Sequence, residues 1–273
     1  MISNERSGEI MSNSVQRLWA EGRPAVNGWL AIPDGFSAEI MAHGGYDSIT
    51  VDLQHGVQDY RSMVACFQAM QGRPVLPMAR VPWNEPGIIG KVLDAGAYGV
   101  ICPMVNTADQ AAALVAAVRY PPLGQRSNGP IRAAMYGAGD QGVGYQARAN
   151  GEVLCIPMIE TLKAVKNLDA ILDVDGVDAV YVGPSDLGFS MGLPPLLDRE
   201  EPEILAIYET VLAETSRRGQ HAGVHCVSPA YAVRMLAMGF GLVTPDTDSG
   251  LLLNAARAAV QAVRAGHAGS PLF

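Results

Sequence analysis

The fold class that this sequence predicts is a TIM-type α/β barrel, eight parallel strands ringed by helices, and three observations predict it. Short apolar runs alternate with helical patterns along the whole chain. The runs are nearly continuous, as strands covered on both faces are, instead of alternating polar and apolar. The length, 273 residues of which 49% are hydrophobic, suits a single barrel of about 250 residues. No low-complexity linker interrupts it, so residues 1–273 count as one domain. An open doubly wound sheet is the competing architecture and would want a glycine-rich first turn. The first turn reads IPDGFSAE, without G-x-G-x-x-G, which gives a dinucleotide site no support.

Taken in order, residues 1–12 read as a polar tail and Ser14–Glu21 as a short helix. Strands are then expected at Trp29–Ile32, Asp47–Leu53, Val75–Val81, Tyr98–Cys102, Val153–Ile159, Val177–Val182, His221–His225 and Gly241–Thr244. The intervening helices are expected near Ser37–His43, Tyr60–Gln71, Pro86–Asp94, Thr107–Val118, Thr161–Leu172, Glu203–Arg218, Pro229–Met238 and Ser249–Arg264. One stretch breaks the beat. Residues 120–150 carry repeated glycines and read as a long loop before the fifth strand, at the end of the barrel opposite the strands' carboxyl ends. If Arg126, Ser127 and Asn128 serve a substrate, that position favours a site in a neighbouring subunit.

The unit between Glu152 and Asp186 is the clearest. Val153–Ile159 stops at Glu160, Val177–Val182 stops at Gly183-Pro184-Ser185-Asp186, and Leu162, Val165, Leu168, Ile171 and Leu172 recur between them at helical spacing. A crossover helix makes the two strands parallel, so Glu160 and Asp186 share one edge of the sheet. Either acid alone could cap a helix or close a turn. Two carboxylates at adjacent strand ends suit a hard divalent cation. In a barrel that edge is where chemistry sits, and other strand ends add Asp52, Gln54, His55, Arg80, His225, Asp246 and Asp248. An always-charged Arg80 in an apolar strand needs an anion, from the protein or from a substrate. His55 reads either as a surface loop residue or as part of the site, and His221 and His225 read as structural.

Composition excludes several functions. A net charge of -8 provides no basic footprint for nucleic acid or for an anionic membrane. Cys66, Cys102, Cys155 and Cys226 lack C-x-x-C spacing, which argues against a disulfide framework or zinc. The opening MISNERSGEI has no apolar core and does not read as a secretory signal, and no stretch is long and apolar enough to span a membrane. A cytoplasmic protein acting on small molecules is expected. Lys91, Lys163 and Lys166, the only lysines, fall in helical patterns, which disfavours Schiff-base chemistry. There is no G-x-S-x-G elbow, and the loops after strands seven and eight, CVSP and TPDTDSG, are poor in glycine for a phosphate site. Two carboxylates, an arginine and a histidine remain, a set fit for metal-assisted enolisation of a small 2-oxo acid.

The ordered motifs VDLQHG, PMARVPWNEP, LDAGAYGVICPMVNT, RYPPLGQRS, PMIET and YVGPSDLGFSMG resemble the HpcH/HpaI family of metal-dependent class II pyruvate aldolases, within the barrel superfamily that binds phosphoenolpyruvate or pyruvate. The resemblance runs from about Gly28 to the last helix. It implies a barrel whose last helix is exchanged between subunits of a homo-oligomer, usually a hexamer, and aldol chemistry between pyruvate or hydroxypyruvate and an aldehyde. It implies Glu160 and Asp186 as ligands of Mg²⁺, Mn²⁺ or Co²⁺, and Arg80 as the group that contacts the keto oxygen and steadies the enolate. His55 matches the acid/base histidine, and Asp94 an aspartate that pairs with it. It implies Gly183, Pro184, Ser185 and Asp186 as the substrate-binding segment, with the N–H groups of Ser185 and Asp186, at a helix start, on the carboxylate. Two positions depart from the familiar pattern: Gln54 stands where a glutamate often precedes the histidine, and Met158 where a glutamine often precedes the metal-binding glutamate. The same superfamily holds citryl- and malyl-CoA lyases, and a barrel that only binds a metal–oxo acid complex is the non-enzymatic alternative.

Overall fold

Eight strands close into one barrel in sequence order, every neighbouring pair parallel, with β8 returning to β1. The computed structural model describes residues 13–136 and 143–267. The tail expected over 1–12 lies outside the described residues, as do Gly137, Gly139 and Gly142 of the expected loop.

The strands are β1 (Ala25–Leu30), β2 (Ser48–Asp52), β3 (Leu76–Arg80), β4 (Gly99–Cys102), β5 (Leu154–Ile159), β6 (Ala179–Val182), β7 (His221–His225) and β8 (Leu242–Thr244). All six residues of β5 and all four of β6 are buried, because one face of each packs into the barrel and the other under helices. The helices are α1 (Ser14–Ala20), α2 (Gly35–Ala42), α3 (Tyr60–Ala69), α4 (Pro86–Asp94), α5 (Ala108–Val118), α6 (Ile131–Tyr136), α7 (Val143–Glu152), α8 (Leu162–Lys166), α9 (Leu168–Leu172), α10 (Pro184–Ser190), α11 (Pro202–Arg217), α12 (Pro229–Met238) and α13 (Asp248–His267). Their starts are chemically marked. Asp59 and Ser62 form a reciprocal capping box on α3, Thr107 and Thr161 cap α5 and α8, and Pro86, Pro184, Pro202 and Pro229 open their helices. Gly239 ends α12 with φ 117, a left-handed conformation that glycine adopts without a Cβ clash.

Three expectations are corrected. The stretch 120–150 is not one long loop: α6 and α7 occupy much of it, and the Asn150 side chain bonds the backbone N–H and carbonyl of Tyr120, closing its ends. The expected helix Thr161–Leu172 breaks at Asn167 into α8 and α9. Gly183–Asp186 opens α10, a helix start as expected for Ser185 and Asp186. The first strand begins at Ala25, four residues before the expected Trp29.

Inside the barrel a buried polar relay links four strands. Asn27 donates to Thr244 at 2.9 Å and accepts from Ser48 and Thr50, and the Tyr181 hydroxyl donates to Thr244 at 2.6 Å. Buried hydroxyls and amides need such partners, since each left unpaired costs about 1–3 kcal/mol. At the amino-terminal end Arg119 bonds the Val153 and Gly176 carbonyls and the Asp178 carboxylate, stapling α5 to the entries of β5 and β6. The eighth outer helix behaves differently. Asp248 anchors its start by accepting from the Ala31 and Ile32 N–H groups and the Ser37 hydroxyl. Beyond that anchor α13 is exposed at every residue from 251 to 266.

Candidate active site

The carboxyl ends of the strands surround a cavity of about 360 Å³. Glu160, Asp186, Arg80 and His55 all line it, together with Gly183, Pro184 and Ser185. None of the three lysines does.

Glu160 follows β5 and is 2% exposed. Its Oε1 accepts the Met104 backbone N–H at 2.6 Å. Met104 supplies that donor from φ 56, the left-handed region that a methionine rarely adopts. Burial pushes the Glu160 carboxyl up to about 7; Asp186 adds to the rise, and the Met104 N–H and the Arg80 charge oppose it. Gly183 makes room for the carboxylate: a Cβ there would stand 2.5 Å from Glu160 Oε2. Asp186 enters from the first turn of α10.

Arg80 lies at the end of β3, one strand from Asp52 at the end of β2, and the two are direct register partners. The ladder therefore sets a two-point ion pair, Nε to Oδ1 at 2.8 Å and Nη2 to Oδ2 at 2.6 Å. The anion that Arg80 requires is a protein carboxylate. Asp52 also accepts the N–H groups of Gln54 and His55, so one carboxylate fixes both the guanidinium and the loop that carries the histidine. The guanidinium lies 4.9 Å from the Trp29 ring centre, while Nη1 takes no protein acceptor among the described residues. His55 is exposed at the rim.

Asp94 does not join this cavity. It ends α4, which runs back from the active mouth, and pairs with buried Arg126 at 2.8 Å. The two line a groove between α4 and α5 with Ser127. Within its own chain Asp94 therefore meets an arginine of the 120–150 stretch, not His55.

Sequence reasoning missed part of the lining. Trp29, Tyr181, Leu197 and Thr247 face the cavity, and so does His225, read above as structural. Its Nδ1 lies 3.3 Å from the Tyr181 hydroxyl and its ring stands edge-on to Trp29. Burial, aided by the Arg80 charge, lowers its pKa to about 4. The signal was available, because His225 ends its strand as Arg80 does. His221, four residues earlier, stacks on Trp19 at 4.3 Å near the other end.

Of the two acids at the strand-eight end, Asp248 is occupied as the α13 anchor and Asp246 accepts from Thr247 N–H and Asn254. Among the described residues no cluster of three or more His, Cys, Asp or Glu is arranged to hold a metal. What the cavity would offer a metal ion is a pair of carboxylates, Glu160 and Asp186. That pair fits a hard cation: the donors are oxygen, burial raises the Glu160 pKa in a way that a bound cation would offset, and Gly183 leaves room for Oε2.

Residues 28–255 match the family model described as HpcH/HpaI aldolase/citrate lyase. The chain belongs to that family. Two relatives give the family's chemistry a scale. A hydroxypyruvate/pyruvate aldolase of Rhizorhabdus wittichii is 41% identical over 254 residues, 93% of this chain and 99% of that one. A 4-hydroxy-2-oxo-heptane-1,7-dioate aldolase of Salmonella dublin is 34% identical over 250 residues, 91% and 93% of the two chains. Among solved structures, an HpcH/HpaI aldolase/citrate lyase family protein of Burkholderia cenocepacia superimposes with a TM-score of 0.85 at 32% identity, over 93% of this chain and all of that one. This family member is accordingly an aldolase, a lyase that makes or breaks a carbon–carbon bond.

Proposed function

We propose that the protein joins or separates the enolate of a small 2-oxo acid, pyruvate or hydroxypyruvate, and an aldehyde, with Glu160 and Asp186 holding a divalent ion, Mg²⁺, Mn²⁺ or Co²⁺. The observation that carries this reading is one cavity that combines a cation-fitting carboxylate pair with an arginine whose third nitrogen is uncommitted. A divalent ion held there would polarise the donor carbonyl and make the adjacent C–H acidic. The rest belongs to the chain. Arg80, locked by Asp52, aims Nη1 at the oxygen where enolate charge develops, an interaction that needs no reorganisation during reaction. Gly183 and Pro184 shape the turn that binds the donor carboxylate, and Ser185 and Asp186 offer it N–H groups. His55, exposed at the rim, carries protons to and from the reacting centre. Trp29, Met158, Tyr181 and Leu197 keep water from the enolate.

The working unit in this reading is a homo-oligomer, a hexamer as family members form. Leu251, Leu252, Leu253, Val260 and Val263 are apolar and exposed on α13, and burial against a second copy accounts for them. Asp94 and Arg126, set on a groove away from their own cavity, act on the His55 of a neighbouring subunit. The four buried free cysteines accord with a reducing cytoplasm. The test is to strip divalent ions with a chelator and restore Mg²⁺, Mn²⁺ or Co²⁺ while following aldol cleavage. Loss and recovery support the reading. Full activity in excess chelator, with borohydride trapping of the donor on a lysine, defeats it.

A further inference from the structure

His225 occupies a chemically singular place in the cavity. It lies one residue past the Val182–Val224 register pair, level with Gly183, and in register with Thr244. It therefore stands beside the turn proposed to bind the donor carboxylate. Its neighbours in the wall, Trp29, Tyr181 and Met158, offer rings and a thioether. The hydrogen-bond pattern determines which ring nitrogen carries the proton. Tyr181 directs its hydroxyl hydrogen at Thr244, so its oxygen is left to accept, and the imidazole meets it with Nδ1–H at 3.3 Å. Nε2 is then a bare acceptor, and no protein donor is directed at it among the described residues. Burial and the Arg80 charge keep the ring neutral in the physiological range, with Asp52 opposing only weakly.

The other polar groups of the cavity are committed. Arg80, Glu160, Asp186 and Ser185 are assigned above to the keto acid and its ion, and Thr247 pairs with Ser249 and receives the Gly250 N–H. A neutral acceptor beside the donor site has one evident complement, a hydroxyl on the donor's reacting carbon. Pyruvate has a methyl group there and hydroxypyruvate a hydroxymethyl. We propose that His225 is a specificity-determining residue whose Nε2 accepts the C3 hydroxyl of the donor, so that 3-hydroxylated 2-oxo acids are preferred over their deoxy counterparts. The inference rests on the 2-oxo acid aldolase reading.

A site that hydrogen-bonds a substrate hydroxyl discriminates against the analogue that lacks it, by an amount that truncating the acceptor removes. The experiment measures kcat/KM for hydroxypyruvate and for pyruvate with one aldehyde. It also follows deuterium uptake at C3 of each donor by NMR, for wild type, His225→Phe and His225→Gln. Wild type should favour hydroxypyruvate. His225→Phe, which keeps the ring's bulk without an acceptor, should shift the ratio of the two kcat/KM values by about 10-fold or more toward pyruvate. His225→Gln, whose amide oxygen accepts, should recover much of that ratio. A purely structural histidine would lower both donors alike in kinetics and exchange, and equal losses in the two variants overturn the assignment. An unaltered ratio in His225→Phe also overturns it. Should His225→Phe fail to fold, the wild-type preference and His225→Gln decide: no wild-type preference for the hydroxylated donor, or a ratio in the folded Gln variant as low as that of an unselective enzyme, refutes the role. Wild-type protein that exchanges C3 protons of neither donor refutes the aldolase reading itself, a result separable from the others.

Discussion

Two of the buried arginine–aspartate pairs stand at opposite ends of the barrel, and they are used differently. Arg119 at the amino-terminal end spends its guanidinium on the protein: two backbone carbonyls and Asp178, all at the entries of β5 and β6. Arg80 at the carboxyl end spends Nε and Nη2 on Asp52 and faces the cavity with the remainder. Both carboxylates sit 2.6 Å from an Nη2. The contrast teaches that an ion pair's distance does not reveal its purpose; what the rest of the guanidinium faces does. An arginine whose other bonds go to backbone carbonyls holds elements together, and one whose remaining nitrogen faces a cavity is a positioned charge.

The largest effect that can break this contrast lies beside Arg80. Glu160→Ala and Asp186→Ala should each lower turnover by about 10³-fold or more, since a bound ion is worth several kcal/mol of transition-state stabilisation. Divalent-ion binding, followed by calorimetry, should weaken in parallel while the circular dichroism spectrum is retained. Next, Arg80→Ala should reduce kcat by ~10²- to 10³-fold, whereas Arg119→Ala should leave kcat of the folded protein near wild type and reduce unfolding free energy by ~3 kcal/mol. The latter sits at the low end for a broken buried pair, because Asp178 is partly accessible and its pKa is already raised by burial, so it protonates readily once alone. Urea titration and steady-state kinetics on both variants read the exchange of effects; a stability loss without a kinetic one in Arg80→Ala would erase the distinction. A smaller effect is expected of His55→Ala, a loss of roughly 10²-fold in proton exchange with ion affinity retained.

The smallest effect is a pH dependence. His225 has a folded pKa lowered from 6.5 to about 4, so the unfolded chain takes up the proton first as pH falls. Its contribution is constant above pH 6.5 and turns progressively against folding between there and pH 4. Of the charged groups facing it, Arg80 lowers the pKa further and Asp52 raises it, and burial sets the direction. His225→Gln should flatten this part of the stability profile measured by denaturant midpoints, and an identical slope in both proteins would contradict the buried neutral ring.

What could be read without coordinates followed from periodicity. Continuous apolar strands alternating with helices specify a parallel barrel, and a barrel puts every strand end at one mouth, which brought Glu160, Asp186, Arg80 and His55 to a single cavity. Pairings across the ladder were not legible. Asp52 and Arg80 are 28 residues apart and become partners only through the β2–β3 register, which a one-residue slip would abolish. Short helices were also invisible to periodicity: α6 and α10 have six and seven residues, too few turns for a 3.6-residue pattern to stand out. His225 was set aside because it lacked a spaced partner in sequence, when its partners Tyr181 and Trp29 come from other strands. Asp94 was assigned by resemblance to a histidine that its own chain keeps in a different cavity.

The Met104 N–H on Glu160 has a consequence for how this site can be altered. The donor belongs to the main chain, so no side-chain truncation removes it, and an alanine scan would score position 104 by the lost thioether alone. The information held there is a torsion angle, φ 56. Residues differ at that position by how willingly they turn left-handed, which orders glycine, asparagine and aspartate ahead of methionine and places β-branched residues last. Evolution of this carboxylate's environment is thus exposed to a conformational alphabet, and a valine at position 104, after the strand next to that of Glu160, would disturb the carboxylate through the main chain alone.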